Sequence, residues 1–330
     1  MIISPPKLYL DTNHLVNISK IHRGLSLGSS EKYRDNYIFI NKCIQEATCA
    51  LVFNFHATLE WVEGKATEES ALQLASIFDK AECVYQLETD TFIYASEVLK
   101  ECKRFDSSVS FPELPILHYS QKGSQYTPAQ TIIAQHVPDY DFGSTDKSSF
   151  PDHVSVVSIS NHAIETLHWK EKNPEVYEER IKGYNETLLQ DIKLAGDHFV
   201  KFSKEQIIDW LKRFVQIDKI LRVANPKAEV DNLLNSIDIS RCPATHLNLR
   251  IRESLIRNKW QPKENDCDDF IYLPVIPYAD ISLIETWLSK RILKAEEKMK
   301  TRVFRKPRDA ANALMKVFER KRLAESAIGG

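Results

Sequence analysis

Carboxylate side chains occur in this sequence at places where a divalent cation could be held. Asp11 directly follows the apolar segment KLYL, and Glu60 lies five residues beyond a second apolar segment. The string NDCDD places Asp266 and Asp269 three residues apart, which puts both on one face of a helix. Two such charges, about 4 to 6 Å apart, repel by about 3 to 4 kcal/mol at an effective dielectric constant of about 20. Raised pKa values, neighbouring cations or a bound cation would offset that repulsion, and oxygen ligands select Mg²⁺ or Mn²⁺ over zinc.

Each of these acids also has a purely structural interpretation. Asp11 could cap the helix that follows it, and Glu60 could be an exposed helix carboxylate favoured by the macrodipole. The NDCDD string could be a solvated acidic loop. Thr12 and Asn13 could orient the first metal ligand or a water molecule, or cap the same helix.

Two further carboxylates bracket the apolar segment ISLI near the end of the chain. Asp280 precedes this segment and Glu285 follows it. Open α/β sheets bind ligands at the carboxyl ends of their strands, which is where Asp11 stands if KLYL is a strand.

The glycines and cysteines exclude other kinds of site. The nine glycines form neither GxGxxG nor GxxxxGK[ST], so a glycine loop that cradles a nucleotide is not indicated. The six cysteines include no CxxC pair, and the chain has no HExxH, which argues against a zinc ribbon and a zincin.

The pattern of apolar residues predicts an α/β fold with a helical insertion. Strands alternate with helices at both ends of the chain, which predicts a parallel sheet covered on both faces. The predicted strands are 7–10, 50–55, 83–87, 281–284 and 300–304. The predicted helices are 14–21, 33–46, 56–80, 91–103, 174–200, 204–222, 227–236, 247–258, 286–300 and 309–323. We expect residues 1–104 and 241–330 to form one sheet domain and residues 105–240 to form a mostly helical insertion.

Basic residues are concentrated around the late acidic string. The whole chain has 44 Lys and Arg against 46 Asp and Glu, a net charge of −2. Residues 241–263, however, hold six basic residues and one acid, and residues 286–330 hold thirteen basic residues and five acids. These segments would bind phosphates on either side of the carboxylates. Trp260 and Phe304 could stack on bases or belong to the core. The candidate nucleic-acid-binding residues are Arg250, Arg257, Lys259, Lys290, Arg291 and Arg305.

Several segments together resemble the PIN-domain nucleases, in particular their larger PIN-like members. They are KLYLDTNHLVNI, FHATLE, NDCDDFIYLPVIPYADISLIE and RVFRKPRDAANAL. The resemblance covers about residues 1–104 and 241–323 and leaves the middle of the chain unmatched. It implies a three-layer α/β/α sandwich whose central parallel sheet gathers three or four acids around one or two Mg²⁺ or Mn²⁺ ions.

The resemblance also implies roles for individual residues. Asp11 and Glu60 would be the first two catalytic acids, and Asp269, with Asp266 beside it, would be the third. The chain departs from the family at the end of the next strand, where Thr-Asp is usual and Ile284 and Glu285 stand here. Glu285 or Asp280 would then supply the fourth acid.

These observations lead us to expect a metal-dependent endoribonuclease, acting as a toxin or defence effector. One alternative is a catalytically impaired PIN-like scaffold that binds RNA or a protein. Another is a haloacid-dehalogenase-type phosphatase, although Asn13 stands where such enzymes generally have a second Asp.

The partners and location follow from the same sequence. We expect single-stranded or structured RNA as the main partner, with a second copy of the chain or a regulatory protein as further candidates. The first residues lack a secretory signal, and no apolar run reaches the roughly 18 to 20 residues that a bilayer span needs. We therefore expect a cytoplasmic protein without a membrane partner.

Overall fold

A six-stranded sheet organises the chain. The computed structural model describes residues 5–54, 58, 61, 67–120, 125–142, 154–155, 159–175, 199–260 and 273–328. The strands are β1 (Lys7–Leu10), β2 (Ala50–Asn54), β3 (Val84–Leu87), β4 (Leu117–Ser120), β5 (Gln125–Tyr126), β6 (Val154–Ser155), β7 (Ile281–Leu283) and β8 (Val303–Phe304). The sheet has the order β4-β3-β2-β1-β7-β8, and β5 pairs with β6 apart from it.

Helices connect and cover these strands. The α-helices of the described residues are α1 (Thr12–His22), α2 (Arg34–Gln45), α3 (Glu68–Asp79), α4 (Asp90–Phe105), α5 (Ala129–His136), α6 (Ile159–Lys172), α7 (Lys204–Trp210), α8 (Ile217–Ala224), α9 (Val230–Ser236), α10 (Pro243–Arg257), α11 (Thr286–Ala295) and α12 (Pro307–Ile328). Short 3₁₀ segments cover Gly28–Tyr33, Ile239–Arg241, Leu273–Tyr278 and Glu297–Thr301, and Leu211–Val215 forms a π-helical turn.

The prediction of an α/β fold is confirmed, but the sheet is mixed rather than parallel. Strands β3, β2, β1, β7 and β8 run parallel, whereas β4 pairs antiparallel with β3. The parallel strands are short apolar runs such as ALVFN, because a strand covered on both faces has no polar side. The sequence of β4, LHYS, is partly polar, as expected of a strand at the sheet edge. For this reason the apolar pattern does not reveal it.

The segment that we expected to be an insertion, 105–240, is tied to the sheet domain. It contributes β4 to the central sheet, and its helices α8 and α9 contact α4. The helix predicted over 204–222 is interrupted by the π-helical turn and by Gln216, whose φ of 51° is left-handed. The helix predicted over 174–200 lies almost wholly outside the described residues.

A buried carboxylate joins α4 to the start of α10. Glu97 accepts hydrogen bonds from the backbone N–H of Ala244 at 2.7 Å and of Thr245 at 2.9 Å. It also accepts from the Thr245 hydroxyl at 2.7 Å and from the Tyr278 hydroxyl. Helix N-termini have unsatisfied N–H groups, and a carboxylate from α4 satisfies two of them here. Burial raises the pKa of Glu97 above its usual value.

Candidate functional site

Asp11 and Glu285 lie together at the carboxyl ends of neighbouring strands. Asp11 follows β1, and its Oδ2 accepts a 3.1 Å hydrogen bond from the backbone N–H of Glu285. Its Oδ1 accepts a 2.9 Å bond from the backbone N–H of Thr12. The side-chain amide of Asn13 in turn donates to the Glu285 carboxylate. Asp11 is buried and Glu285 half-buried, so this strand-end pair faces partly toward solvent.

Local sequence explains why two acids meet at this edge. Asp11 is the N-cap of α1 and Glu285 is the N-cap of α11, and both have extended backbones. Each helix directs its positive dipole end toward these carboxylates, which favours negative charge there. The Glu285 side chain makes no capping bond to its own helix. Its carboxylate is instead oriented by Asn13.

Asn54 extends the site to the next strand. Lys7 is paired with Ala50 and Leu8 with Leu51, so the same register places Asp11 beside Asn54. Asn54 is 2 % exposed, and neighbouring strands lie about 4.8 Å apart. The sequence analysis did not single out Asn54, although a polar residue that ends the apolar run ALVFN is the signal that could have revealed it.

Asp280 lies at the opposite ends of the strands, where β1 and β7 begin. It precedes β7, and its carboxylate accepts a 2.8 Å hydrogen bond from the backbone N–H of Lys7 at the start of β1. The Lys7 ammonium lies 3.9 Å from the same carboxylate oxygen. Because β1 and β7 are parallel, Asp280 lies beside Lys7, which is four residues, or about 13 Å, from Asp11 along β1. The prediction that Asp280 could complete a site with Asp11 is therefore wrong. Glu285 is the acid that lies at the same strand ends as Asp11.

His14, Tyr37 and Asn17 form a hydrogen-bonded network next to the strand-end pair. His14 Nδ1 lies 2.8 Å from the Tyr37 hydroxyl, which also accepts a 3.0 Å bond from the Asn17 amide. Burial lowers the pKa of His14 to about 4, and a hydrogen bond with the Ile284 backbone opposes this only in part. His14 is therefore neutral at pH 7. It joins α1 to the residue that precedes Glu285.

A second buried carboxylate at the carboxyl ends of the parallel strands, Glu88, was missed by the sequence analysis. Glu88 follows β3, is buried, and lies 2.8 Å from His118 Nε2 on β4. It also accepts a 3.1 Å hydrogen bond from the backbone N–H of Ala129. The His118 ring stacks on Tyr126, and burial together with the charge of Glu88 raises the pKa of Tyr126. Strand β2 lies between β3 and β1, so Glu88 is two strand spacings away from Asp11.

The basic candidates fall into two groups around the strand-end pair. Arg305 is exposed and follows β8, the strand beside β7, which places it next to the end that carries Glu285. Lys290 and Arg291 lie on α11, the helix that begins directly after Glu285. The Arg291 guanidinium lies 5.4 Å from the ring centre of Trp260 and 5.3 Å from that of Trp287.

The remaining candidates belong to the second group: Arg250 lies in the middle of α10, Arg257 is its last residue and Lys259 follows it. Arg257 and Lys259 are exposed, whereas Arg250 forms a 2.8 Å ion pair with the buried Glu253. Trp260 and Phe304 are half-buried and pack against the core, as one of the two interpretations of them expected.

Three of the predicted acids lie outside the described residues. They are Glu60, Asp266 and Asp269. Among the residues that the structure describes, no three His, Cys, Asp or Glu side chains form a group that could hold a metal ion. The described part of the site therefore consists of the two carboxylates of Asp11 and Glu285 together with the amides of Asn13 and Asn54.

Comparison of the chain with protein-family models, with curated proteins and with solved structures finds no match. No helix in the described part of the chain is both long enough and apolar enough to cross a bilayer.

Proposed function

We propose that the protein is a metal-dependent endoribonuclease with a PIN-like three-layer α/β/α sandwich. The observation that carries this proposal is the hydrogen-bonded pair of Asp11 and Glu285, two acids from opposite ends of the chain that meet at the carboxyl ends of β1 and β7. Ligand sites of open α/β sheets occupy this edge. We infer a role as a toxin or defence effector from the resemblance to the PIN-domain nucleases, and we propose a cytoplasmic location.

The donor atoms at this edge suit Mg²⁺ or Mn²⁺. Carboxylate and amide oxygens are hard ligands, and neither cysteine nor histidine is needed. A carboxylate can accept about four interactions, so the two backbone donors on Asp11 are compatible with coordination of a cation. We propose Glu60, Asp266 and Asp269 as the further ligands, which would bring the acids to the number that one or two ions require.

The chain's own residues would prepare the reaction by holding charge in fixed positions. Two backbone N–H groups fix both oxygens of Asp11, and Asn13 directs the carboxylate of Glu285. A Mg²⁺ or Mn²⁺ ion bound there would stabilise negative charge on the phosphodiester and lower the pKa of a bound water molecule. Without a cation, the same carboxylates would repel the phosphate.

Exposed cations beside the pair would hold the substrate. Arg305 lies one strand from Glu285, and Lys290 lies on the helix that starts there. Phosphate contacts of this kind position a nucleic acid without reading its sequence. The Arg291 guanidinium, on the same helix, lies beside both the Trp260 ring and the Trp287 ring. We therefore propose RNA, single-stranded or structured, as the substrate.

A scaffold that binds RNA or a protein without cleaving is the second candidate. Its support is that Glu285, rather than the Thr-Asp of the resembling family, ends this strand and already accepts a bond from Asn13. If that bond outcompetes a cation, the site would lack one ligand.

A cleavage assay tests the first proposal against the second. The full chain is incubated with end-labelled single-stranded RNA and DNA in Mn²⁺, in Mg²⁺ or in EDTA. We expect RNA fragments with either metal, none in EDTA, and at least about a hundredfold loss in Asp11→Asn. Asp280→Asn is the matched control, since it makes the same change at the opposite edge and should keep full activity. Equal cleavage by wild type and Asp11→Asn would reject the nuclease proposal, and binding without fragments would favour the scaffold.

A further inference from the structure

A second cleft lies away from the strand-end pair. It has a volume of about 860 Å³, within the range of about 300 to 1,000 Å³ that is typical of small-molecule sites. Its walls come from α7, the π-helical turn, the first turn of α8 and the middle of α10. Neither Asp11 nor Glu285 lines it.

Aromatic rings form one wall of this cleft. Trp210 is held edge-to-face against Tyr94, with 5.3 Å between ring centres, and packs against Phe214 at 6.2 Å. Phe214 is 39 % exposed, so part of its ring is open to solvent. Phe202 also lines the cleft. These rings offer flat apolar surface to a planar ligand.

Two arginines lie against the same rings. The guanidinium of Arg252 is 6.0 Å from the ring centre of Trp210, and that of Arg213 is 5.9 Å from that of Phe214. Three of the four cations of the cleft have other partners: Lys212 pairs with Asp231, Lys219 donates to the carbonyl of Asp139 at 2.8 Å, and Arg252 Nε donates to the side chain of Asn248 at 3.3 Å. No carboxylate of the described residues forms an ion pair with Arg213, so this guanidinium can accept an anionic group.

The cleft also contains acids, which narrows the class of ligand. Asp209 is exposed on α7 and lines the cleft together with Asp141. A simple anion would be repelled by these carboxylates. A ligand that combines an aromatic ring, hydroxyl donors and a phosphate would satisfy the rings, the acids and the arginines at once, since carboxylates commonly accept hydrogen bonds from ribose hydroxyls.

The backbone around the cleft is irregular and firmly fixed. The π-helical turn ends at Gln216, a non-glycine residue in the left-handed region, and such turns are frequent at functional sites. The Gln216 amide donates to the carbonyl of Asp141 at 2.8 Å and accepts from its N–H at 2.9 Å. These two hydrogen bonds hold the segment after α5 against the π-helical turn, which carries Arg213 and Phe214.

We propose that this cleft binds a nucleotide, with the base on Trp210 and Phe214 and the phosphate on Arg213 and Arg252. Asp209 accepts hydrogen bonds from the ribose hydroxyls. The same chemistry is offered by a free nucleotide and by one nucleotide of a single-stranded RNA. The site is separate from the strand-end pair and does not depend on cleavage there.

Calorimetric titration of the full chain with AMP, with adenosine and with a single-stranded RNA of about ten nucleotides tests this proposal. We expect AMP to bind with a Kd below about 1 mM and adenosine to bind about tenfold more weakly, because it lacks the phosphate. Arg213→Ala and Phe214→Ala should each weaken AMP about tenfold or more. Arg241→Ala, which removes the same charge from an exposed position outside the cleft, should bind as the wild type does.

The arms of the experiment separate the two sources of the ligand. AMP binding that depends on Arg213 and Phe214 identifies a free-nucleotide site, and RNA binding with the same dependence but without AMP binding identifies a site for one nucleotide of a strand. Absence of both, or binding unchanged in both variants, overturns the proposal. Asp11→Asn should keep wild-type AMP affinity even if cleavage is lost. An equal loss of AMP binding in Asp11→Asn would place the nucleotide at the strand-end pair and would also overturn it.

Discussion

The backbone N–H of Glu285 donates a 3.1 Å hydrogen bond to the carboxylate of Asp11, although 274 positions separate the two residues in the chain. This bond connects the ends of β1 and β7 and therefore the two halves of the sheet domain. It also brings two carboxylates to one edge, where mutual repulsion is offset by two helix N-termini. The same contact thus stabilises the fold and places two carboxylates where they could bind a cation. Stability and cation binding can be measured separately.

Removal of the Asp11 carboxylate should lower stability. In Asp11→Ala the N–H groups of Thr12 and Glu285 lose their acceptor, which costs about 1 to 3 kcal/mol of unfolding free energy. Urea denaturation followed by circular dichroism measures this difference. Asp35→Ala, at an exposed position in the first turn of α2, should change the free energy by no more than about 0.5 kcal/mol. Equal stability of the two variants would show that the Asp11 bonds contribute nothing.

Stability should fall as pH falls from about 6.5 toward 4 because of His14. Its pKa is lowered to about 4 in the folded state, so in this window the unfolded chain binds the proton and the folded chain does not. The full difference corresponds to about 3 kcal/mol. His14→Gln should flatten this part of the stability profile, measured by urea denaturation at several pH values. His22→Gln, at an exposed position of the same helix, should leave it unchanged, and an unchanged slope in His14→Gln would contradict the assignment.

Glu97→Ala should be among the most destabilising substitutions in the chain. Four donors lose their acceptor at the junction of α4, α10 and Tyr278, which costs about 3 to 5 kcal/mol. Glu113→Ala is the control, because Glu113 is exposed and its ion pair with Lys100 lies at the surface, where such a pair is worth at most about 1 kcal/mol. Thermal denaturation distinguishes the two. Similar melting temperatures would mean that Glu97 does not join these helices.

Arg305→Ala should weaken RNA binding without removing the chemistry. Loss of one phosphate contact should raise KM, leave kcat within about threefold, and reduce the salt dependence of binding by about one counterion. Arg320→Ala is the control. It removes the same charge about 20 Å from the start of α12, away from the strand ends. Filter binding at several salt concentrations provides the slopes. Identical slopes for the two variants would exclude Arg305 from the phosphate path.

The strands that are buried on both faces could be predicted from the sequence alone. KLYL, ALVFN and ISLI are apolar runs, so the three central strands could be predicted, together with the acids Asp11 and Glu285 that follow two of them. The choice between Asp280 and Glu285 could not, because it depends on the parallel pairing of β7 with β1.

Other features have no signal in the apolar pattern. Strand β4 is a partly polar edge strand, so its pairing with β3 and the contact between Glu88 and His118 were not foreseen. The π-helical turn before Gln216 contains neither glycine nor proline, the residues that usually mark a break in a helix. Leu211 and Val215, at its two ends, are both buried in the core.

Titration of the metal-free full chain with MnCl₂, followed by calorimetry in the absence of nucleic acid, tests most directly whether Asp11 and Glu285 hold a cation. The wild type is expected to bind one or two ions, with affinity reduced at least about tenfold in Asp11→Asn and in Glu285→Gln. Asp280→Asn should bind Mn²⁺ as the wild type does. Wild-type affinity in Asp11→Asn, or an equal loss in Asp280→Asn, would contradict the account.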